Sequence, residues 1–222
     1  MEAITGMVRP DWLCLDIGAN IGVYSLLLSG LAQHVYAFEP SPTNADLIAA
    51  SLGLNSVANV SIERLALGDT TEDRQLSHFT EVPGCSFIEQ PTDDDEALQR
   101  FWGVHLERTS YPVHVSTLDK WASQKRLPRL DFIKMDIEGF EPKALDGAVR
   151  TIRHYRPVLV IEFNTKALSH YFETPKVLYD SLAALFQDIS IIGGDKVRSY
   201  EDLAAHLTPQ RFWTDLLCRV NK

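Results

Sequence analysis

Cysteine is scarce in this sequence, and the few cysteines present limit its classification. The 222 residues include three, Cys14, Cys85 and Cys218, which cannot all pair within one chain. No two of them have the C-x-x-C spacing of structural zinc sites, so such a site is disfavoured. Cys14 and Cys218 lie in apolar runs, where cysteine usually packs as a small buried hydrophobe.

The sequence also has few positively charged residues relative to acidic ones, and it has no long apolar run. The 21 Lys and Arg residues face 30 Asp and Glu residues, and the formal net charge of −9 disfavours nucleic acid as the main partner. No apolar run approaches the roughly 20 residues of a membrane span. Residues Met1 to Pro10 lack the basic start and apolar core of a signal peptide. We therefore expect a cytoplasmic protein with no membrane partner.

Short apolar runs alternate with helical stretches along the chain, and 45% of the residues are hydrophobic. This alternation predicts strands and helices that form a doubly wound parallel sheet. The predicted strands are Trp12–Ile17, His34–Phe38, Val60–Leu65, Leu130–Met135, Pro157–Phe163, Ile189–Ile192 and Asp215–Val220. The predicted helices are Val23–Leu31, Thr43–Leu54, Thr117–Lys125, Glu141–His154 and Lys176–Phe186.

These elements predict an α/β fold with a single domain over residues 1–222. The sheet is expected to be Rossmann-like and doubly wound, with seven mostly parallel strands and an antiparallel strand near one end. Residues 68–112 lack regular periodicity, so we interpret them as an irregular insertion on the substrate side of the sheet.

Four of the predicted parallel strands end in acidic residues: Asp16, Glu39, Asp136 and Glu162. Ligands of open parallel sheets bind beyond the carboxyl ends of the strands. Any one strand-end carboxylate could simply face a polar loop. Four at the same edge indicate a binding site.

A glycine-containing segment, Asp16-x-Gly18-x-Asn20-x-Gly22, follows the first strand. It differs from the G-x-G-x-x-G motif of dinucleotide-binding proteins. Asp16 would repel a pyrophosphate and would attract a cationic amino acid group. Glu39 follows Gly18 by 21 residues, at the position where a carboxylate accepts hydrogen bonds from ribose hydroxyls. Ribose, adenine and a cationic amino acid are the parts of S-adenosylmethionine.

Several further segments, together with this one, resemble the FkbM type of class I S-adenosylmethionine-dependent methyltransferases. The matching segments are Leu15–Gly22, Ala37–Pro40, Leu65–Gly68, Thr117–Asp119, Phe132–Glu141 and Val160–Glu162. The combination with Lys-x-Asp-x-Glu-Gly at residues 134–139 is the most specific part. Members of this family mostly methylate hydroxyl oxygens, often on sugars or natural-product scaffolds.

The resemblance also implies roles for individual residues. The methionine part of the cofactor would lie against Asp16, Gly18, Ala19, Asn20 and Gly22, its ribose against Glu39, and its adenine between Pro40 and Ala66–Leu67. Asp136 would face the sulfonium and the incoming acceptor. The partner is then a small-molecule hydroxyl acceptor, such as a saccharide, and a homodimer stays open.

Methyl transfer to an alcohol needs a base near the methyl group. Asp136 and Glu138 are the first candidates, and Lys134 either pairs with Asp136 or acts as the base itself. Glu162 could bind sugar hydroxyls. A divalent metal on these carboxylates is a weaker interpretation, because carboxylates near active sites are more often hydrogen-bonded.

Two other classes of function fit the same fold. One is an NAD-dependent oxidoreductase, which the missing G-x-G-x-x-G motif disfavours. The other is a non-catalytic cofactor-binding module, against which the acidic residues Asp136 and Glu138 argue. The segment Asp136–Gly139 replaces the Asn/Asp-Pro-Pro-Tyr/Phe segment of N-methylating enzymes, so O-methylation is preferred.

Overall fold

A computed structural model of the chain describes residues 2–79, 86–90 and 107–220. The described residues contain these strands: β1 Leu13–Ile17, β2 His34–Phe38, β3 Val60–Glu63, β4 Ala66–Leu67, β5 Glu72–Phe79, β6 Ser86–Ile88, β7 Arg108–Ser116, β8 Phe132–Met135, β9 Val158–Asn164, β10 Asp188–Ile191 and β11 Trp213–Arg219. Their helices are α1 Glu2–Thr5, α2 Val23–Ser29, α3 Pro42–Leu54, α4 Leu118–Lys125, α5 Glu141–Asp146, α6 Val149–Tyr155, α7 Thr165–Tyr171, α8 Lys176–Leu185 and α9 Tyr200–His206.

The central sheet has seven strands in the order β10-β11-β9-β8-β1-β2-β3. Strands β1, β2, β3, β8 and β9 are parallel, whereas β11 runs antiparallel to both β9 and β10. This confirms the predicted α/β class, the seven strands and the antiparallel strand near one end. The carboxyl ends of β1, β2, β8 and β9 consequently meet at one edge of the sheet.

Both faces of the sheet are covered by helices, which explains why its strands are nearly continuous runs of apolar residues. On one face, Leu15, Ile133 and Ile161 belong to the larger core cluster, which also includes residues of α4 and α8. On the other face, Cys14 and Phe132 pack with apolar residues at both ends of the sequence. Cys14 and Cys218 are buried and unpaired, as predicted, whereas Cys85 lies outside the described residues.

The expectation of an irregular segment over residues 68–112 is wrong for the residues described. Strands β4, β5, β6 and β7 form a second, four-stranded sheet in the order β4-β7-β5-β6. Eight residue pairs join β5 to β7, from Glu72 opposite Val115 to Phe79 opposite Arg108. Because β5 is mostly polar, its backbone pairing with β7 defines it as a strand, and hydrophobic periodicity could not reveal it.

The predicted helix Glu141–His154 is two helices, α5 and α6. The break coincides with a cap supplied from α4, because the carboxylate of Asp119 accepts hydrogen bonds from the backbone N–H groups of Arg150 and Thr151, at 3.1 and 2.7 Å. These N–H groups belong to the first turn of α6, where no intrahelical acceptor is available. The cap comes from about thirty residues upstream, so the local pattern could not predict it.

Candidate functional site

A cleft of about 290 Å³ lies at the carboxyl edge of the central sheet, beneath the second sheet. Its walls come from the segments after β1, β2, β3 and β8, together with side chains of α2, α3, β5 and β6. The lining residues are Ile17–Ile21, Val23, Tyr24, Phe38–Pro40, Asn44, Leu65–Leu67, Leu76, Ser86, Ile88, Lys134, Asp136–Glu138 and Phe140.

Most residues that the resemblance assigned to a cofactor line this cleft. Gly18, Ala19, Asn20, Glu39, Pro40, Ala66, Leu67 and Asp136 do so, and the candidate catalytic residues Lys134 and Glu138 lie beside them. Asp16, Gly22 and Glu162 stand outside this lining.

The glycine loop, residues 16–22, is held by its own backbone N–H groups. The N–H groups of Gly18 and Ala19 donate to the carbonyl of Phe38, and that of Gly22 donates to Ala19. The N–H of Asn20 donates to the Glu39 carboxylate at 2.8 Å. Gly18 has φ +78°, and a Cβ placed there would overlap the carbonyl oxygen of Asp136. The loop therefore contacts the end of β8 directly.

Asp16 acts from behind the loop. Its side chain is fully buried and accepts a hydrogen bond of 2.6 Å from the Ser25 hydroxyl at the start of α2. Its second oxygen, Oδ1, lies 3.9 Å from the Lys134 ammonium. Burial raises the pKa of Asp16, while Lys134 and Ser25 lower it. The net pKa of Asp16 is raised, and its carboxyl group lies behind the cleft without lining it.

Glu39 is the most buried carboxylate that lines the cleft, with 4% of its surface exposed. Its Oε2 accepts the N–H of Asn20 and its Oε1 accepts the N–H of Ser41, both at 2.8 Å. Burial raises its pKa to about 7, although these hydrogen bonds oppose the shift. Asn44, which donates to Asn20 and which sequence reasoning missed, completes this corner from α3.

Lys134 holds the centre of the site. Its Nζ donates to Asp136 Oδ2 at 3.4 Å and to the Gly18 carbonyl at 3.5 Å, and it lies 4.8 Å from the centre of the Tyr24 ring. Burial lowers the pKa of Lys134, but the carboxylates of Asp136 and Asp16 outweigh it, and the net pKa is raised. Lys134 is therefore a buried cation that joins the loop to Asp136.

Glu138 follows Asp136 in a left-handed backbone conformation, φ +56°, which is uncommon for a residue with a side chain. Burial and the nearby carboxylates of Asp136 and Glu162 raise its pKa to about 8. Within the described part of the chain, no hydrogen-bond donor reaches its carboxylate. Strained, partnerless acids that line a cleft are typical of functional sites.

A row of carboxylates continues from Asp136 across β9 and β11. Glu162 of β9 lies opposite Asp215 of β11, and one step further Asn164 lies opposite Trp213. Burial raises the pKa of Glu162 to about 7, and burial together with Asp136 raises that of Asp215. Sequence reasoning missed Asp215 and Trp213; an acidic residue within the apolar strand segment Thr214–Cys218 was the available signal.

The same residues can be tested as a metal site. No group of three or more His, Cys, Asp or Glu side chains with the geometry of a metal centre occurs in residues 2–79, 86–90 and 107–220.

In those ranges, no helix has the length and apolar character needed to cross a membrane.

The order of the sheet and the position of the cleft define a Rossmann-like fold with a candidate ligand site at its carboxyl edge. Residues 16–187 match the model of the methyltransferase FkbM domain, and the chain belongs to this family. Methyltransferase FkbM from Methylobacillus flagellatus KT has the same fold, with a TM-score of 0.58 and 21% identity over 96% of this chain and 45% of its own. SMU.1697c from Streptococcus mutans, solved in complex with SAH, has a TM-score of 0.51 at 9% identity and covers 99% of this chain and 94% of its own.

Three relatives carry functional names. Methyltransferase sdnD of Sordaria araneosa is 30% identical over 60% of this chain and 59% of its own length. The 2-O-methyltransferase NoeI of Sinorhizobium fredii is 27% identical, over 70% and 65%. The hexuronic acid methyltransferase AglP of Haloferax volcanii is 24% identical, over 68% and 56%. This chain thus matches less than two thirds of the length of each relative.

Proposed function

We propose that this chain is an S-adenosylmethionine-dependent O-methyltransferase that acts on a hydroxyl of a small molecule, either a sugar or a natural-product scaffold. The observation that carries the proposal is that one cleft contains both the buried carboxylate of Glu39 and the partnerless carboxylate of Glu138. The former suits a ribose and the latter suits a reacting hydroxyl. The names of the relatives NoeI and AglP support an oxygen acceptor on a sugar.

Glu39 fits the ribose of this cofactor. Each of its oxygens accepts one backbone N–H, and an ionised carboxylate offers about four acceptor positions in total. The Asn44 side chain also hydrogen-bonds this carboxylate, so one position remains for a ribose hydroxyl. Pro40, Leu65 and Leu67 line the cleft nearby and supply the apolar surface that an adenine ring requires.

The opposite end of the cleft fits a cationic ligand group better than a pyrophosphate. Asp136 lines it, and the buried carboxylate of Asp16 lies just behind. Pyrophosphates are normally bound by free backbone N–H groups of a glycine loop. Here four N–H groups of the glycine loop already donate within the protein. This arrangement supports S-adenosylmethionine over NAD.

S-adenosylmethionine, when bound, supplies a methyl group activated by its sulfonium. The chain must then orient an acceptor hydroxyl in line with that methyl and remove its proton. We assign the proton-accepting role to Glu138, because its carboxylate is free of donors and its raised pKa makes it a stronger base than an ordinary glutamate.

Lys134 serves as a positioning residue in this scheme. Its two polar contacts, to Asp136 and to the Gly18 carbonyl, fix the end of β8 against the glycine loop. Because its pKa is raised, Lys134 stays protonated near neutral pH and is unsuited to accept a proton. The Lys134 ammonium in turn holds Asp136, which orients the cofactor and the acceptor hydroxyl in this scheme.

Calorimetric titration with S-adenosylhomocysteine, and separately with NAD, tests the cofactor. We expect binding of S-adenosylhomocysteine alone, and about 10- to 100-fold weaker binding by Glu39→Gln, since a charged acceptor of a buried hydroxyl is lost. Glu201→Gln on α9 is the control, because Glu201 is exposed. Binding of NAD alone would overturn the proposal, and an unchanged affinity in Glu39→Gln would remove Glu39 from the ribose role.

The pH dependence of turnover tests the base. Release of S-adenosylhomocysteine is measured with a panel of methyl glycosides between pH 6 and 9. With wild type, turnover is expected to rise with an apparent pKa of about 8 as Glu138 ionises. Glu138→Gln should lose this rise and most of its turnover while it still binds S-adenosylhomocysteine. A variant with the wild-type profile would exclude Glu138 as the base.

A further inference from the structure

The face of the sheet that carries Asp136 extends outward over two more strands. Lys134 of β8 lies beside Val160 of β9, so the next residues on this face, Asp136 and Glu162, are also neighbours. Glu162 in turn lies opposite Asp215 of β11. A row of acidic side chains, Asp136, Glu162 and Asp215, therefore runs along this face from the proposed methyl-transfer position toward the outer strands of the sheet.

Trp213 lies next to this row of acidic side chains, at the start of β11. It shares a strand face with Asp215, because side chains two residues apart on a strand point the same way. The alternate residues of β11, including Leu216 and Cys218, are fully buried, whereas Trp213 is 51% exposed. A large exposed aromatic ring on the sheet edge that carries the cleft offers an apolar surface with a polar N–H at one end.

The carboxylates of Glu162 and Asp215 lie opposite each other, and neither forms a salt bridge within the described ranges, although Glu162 accepts a hydrogen bond of 3.3 Å from Asn164. Like charges directly opposite each other across antiparallel strands are destabilising. Lys134 lowers the pKa of both carboxylates, but its hydrogen bonds go to Asp136 and to the Gly18 carbonyl. Ionised carboxylates only accept hydrogen bonds, so this pair is suited to a ligand with several hydroxyl donors.

We infer that Trp213, Glu162 and Asp215 form an acceptor-binding surface that adjoins the lining of the cleft and is selective for an uncharged saccharide over a carboxylate-bearing one. The apolar face of the sugar ring stacks on Trp213, and ring hydroxyls donate to Glu162 and Asp215. A uronic acid would bring a third carboxylate next to this pair and would be repelled. This inference rests on the proposed function, since it assigns the acceptor to a surface beside the same cleft.

Saturation-transfer NMR on the protein with S-adenosylhomocysteine tests the inference with two probes, methyl glucoside and methyl glucuronide. Wild type should show transfer from the glucoside at least tenfold stronger than from the glucuronide. Trp213→Ala should lose most of the glucoside signal, whereas Phe212→Ala, an adjacent exposed aromatic residue, should keep it. Asp215→Asn should reduce the ratio of the glucoside signal to the glucuronide signal. Asp180→Asn on the exposed surface of α8 should leave that ratio unchanged.

Each result has a defined meaning. Preference for the glucuronide, absence of transfer from both sugars, or an unchanged signal in Trp213→Ala would overturn the inference. S-adenosylhomocysteine affinity is measured for every variant and should stay within twofold of wild type. The NMR comparison is repeated without S-adenosylhomocysteine, so a failure of the proposed cofactor and a failure of the sugar site are seen separately.

Discussion

Replacement of Gly18 by alanine should damage both stability and catalysis, because this position touches the end of β8. A residue with φ near +78° tolerates a Cβ only at a cost of about 1–2 kcal/mol. The new Cβ would also overlap the carbonyl oxygen of Asp136 and lie 2.9 Å from Ile137 Cγ2. The backbone must shift, which strains the 3.1 Å hydrogen bond from the Asp136 N–H to Ile17, a further loss of about 1 kcal/mol.

Urea unfolding followed by circular dichroism measures this loss, which we expect to total about 2–3 kcal/mol. Gly193→Ala is the matched control: Gly193 has φ +71° but open space around its missing Cβ, so it reports the backbone cost alone. Gly53→Ala in α3 should stabilise the protein by about 0.5–1 kcal/mol, because nothing lies near its Cβ. Equal losses in Gly18→Ala and Gly193→Ala would refute the close contact between the loop and β8.

Two further predictions concern the dependence of stability on pH. Burial raises the pKa of Glu141 to about 8, so its stabilising contribution is complete below about 4.5 and is lost as pH rises through 8. In wild type, this contribution makes the free energy of unfolding fall by on the order of 4 kcal/mol between pH 4.5 and pH 8. Glu141→Gln should remove that fall. Urea titrations in which the variant and wild type show the same dependence of the free energy of unfolding on pH would contradict this. For Asp119, burial raises the pKa, but hydrogen bonds from Thr151 and Arg150 outweigh it, and the net pKa is lowered. Asp119→Ala should cost about 1–2 kcal/mol at neutral pH, and that cost should shrink as pH falls through the folded pKa; a cost independent of pH in the same assay would exclude a charged cap.

The parallel core of the fold was predictable because strands buried on both faces leave continuous apolar runs. Strands β1, β2, β8 and β9 were all identified in this way, close to their observed bounds. Strand β5 was not, because its sequence from Glu72 to Phe79 is mostly polar and its longer partner strand, β7, begins 29 residues after β5 ends. Pattern analysis detects burial, and β5 is defined by backbone pairing.

The candidate site residues likewise fall into those that the sequence pattern predicted and those that it did not. Gly18, Glu39, Asp136 and Glu138 follow parallel strands, whose ends can be located from the sequence. Trp213 and Asp215 reach the same edge from the beginning of an antiparallel strand. A search of strand ends for candidate ligand-binding residues therefore passes over them, and only the direction of β11 places them at this edge of the sheet.

The position of β11 also has a consequence for how the protein folds as it is synthesised. β11 follows β10 in the sequence, yet it lies between β10 and β9 in the sheet. Until β11 pairs, the edges of β9 and β10 that it joins lack this partner and are open to association with other chains. Entry of β11 between β9 and β10 also brings Asp215 and Trp213 to the carboxyl end of β9. The residues that line the cleft, none of which comes from β11, can thus be in place before β11 joins the sheet.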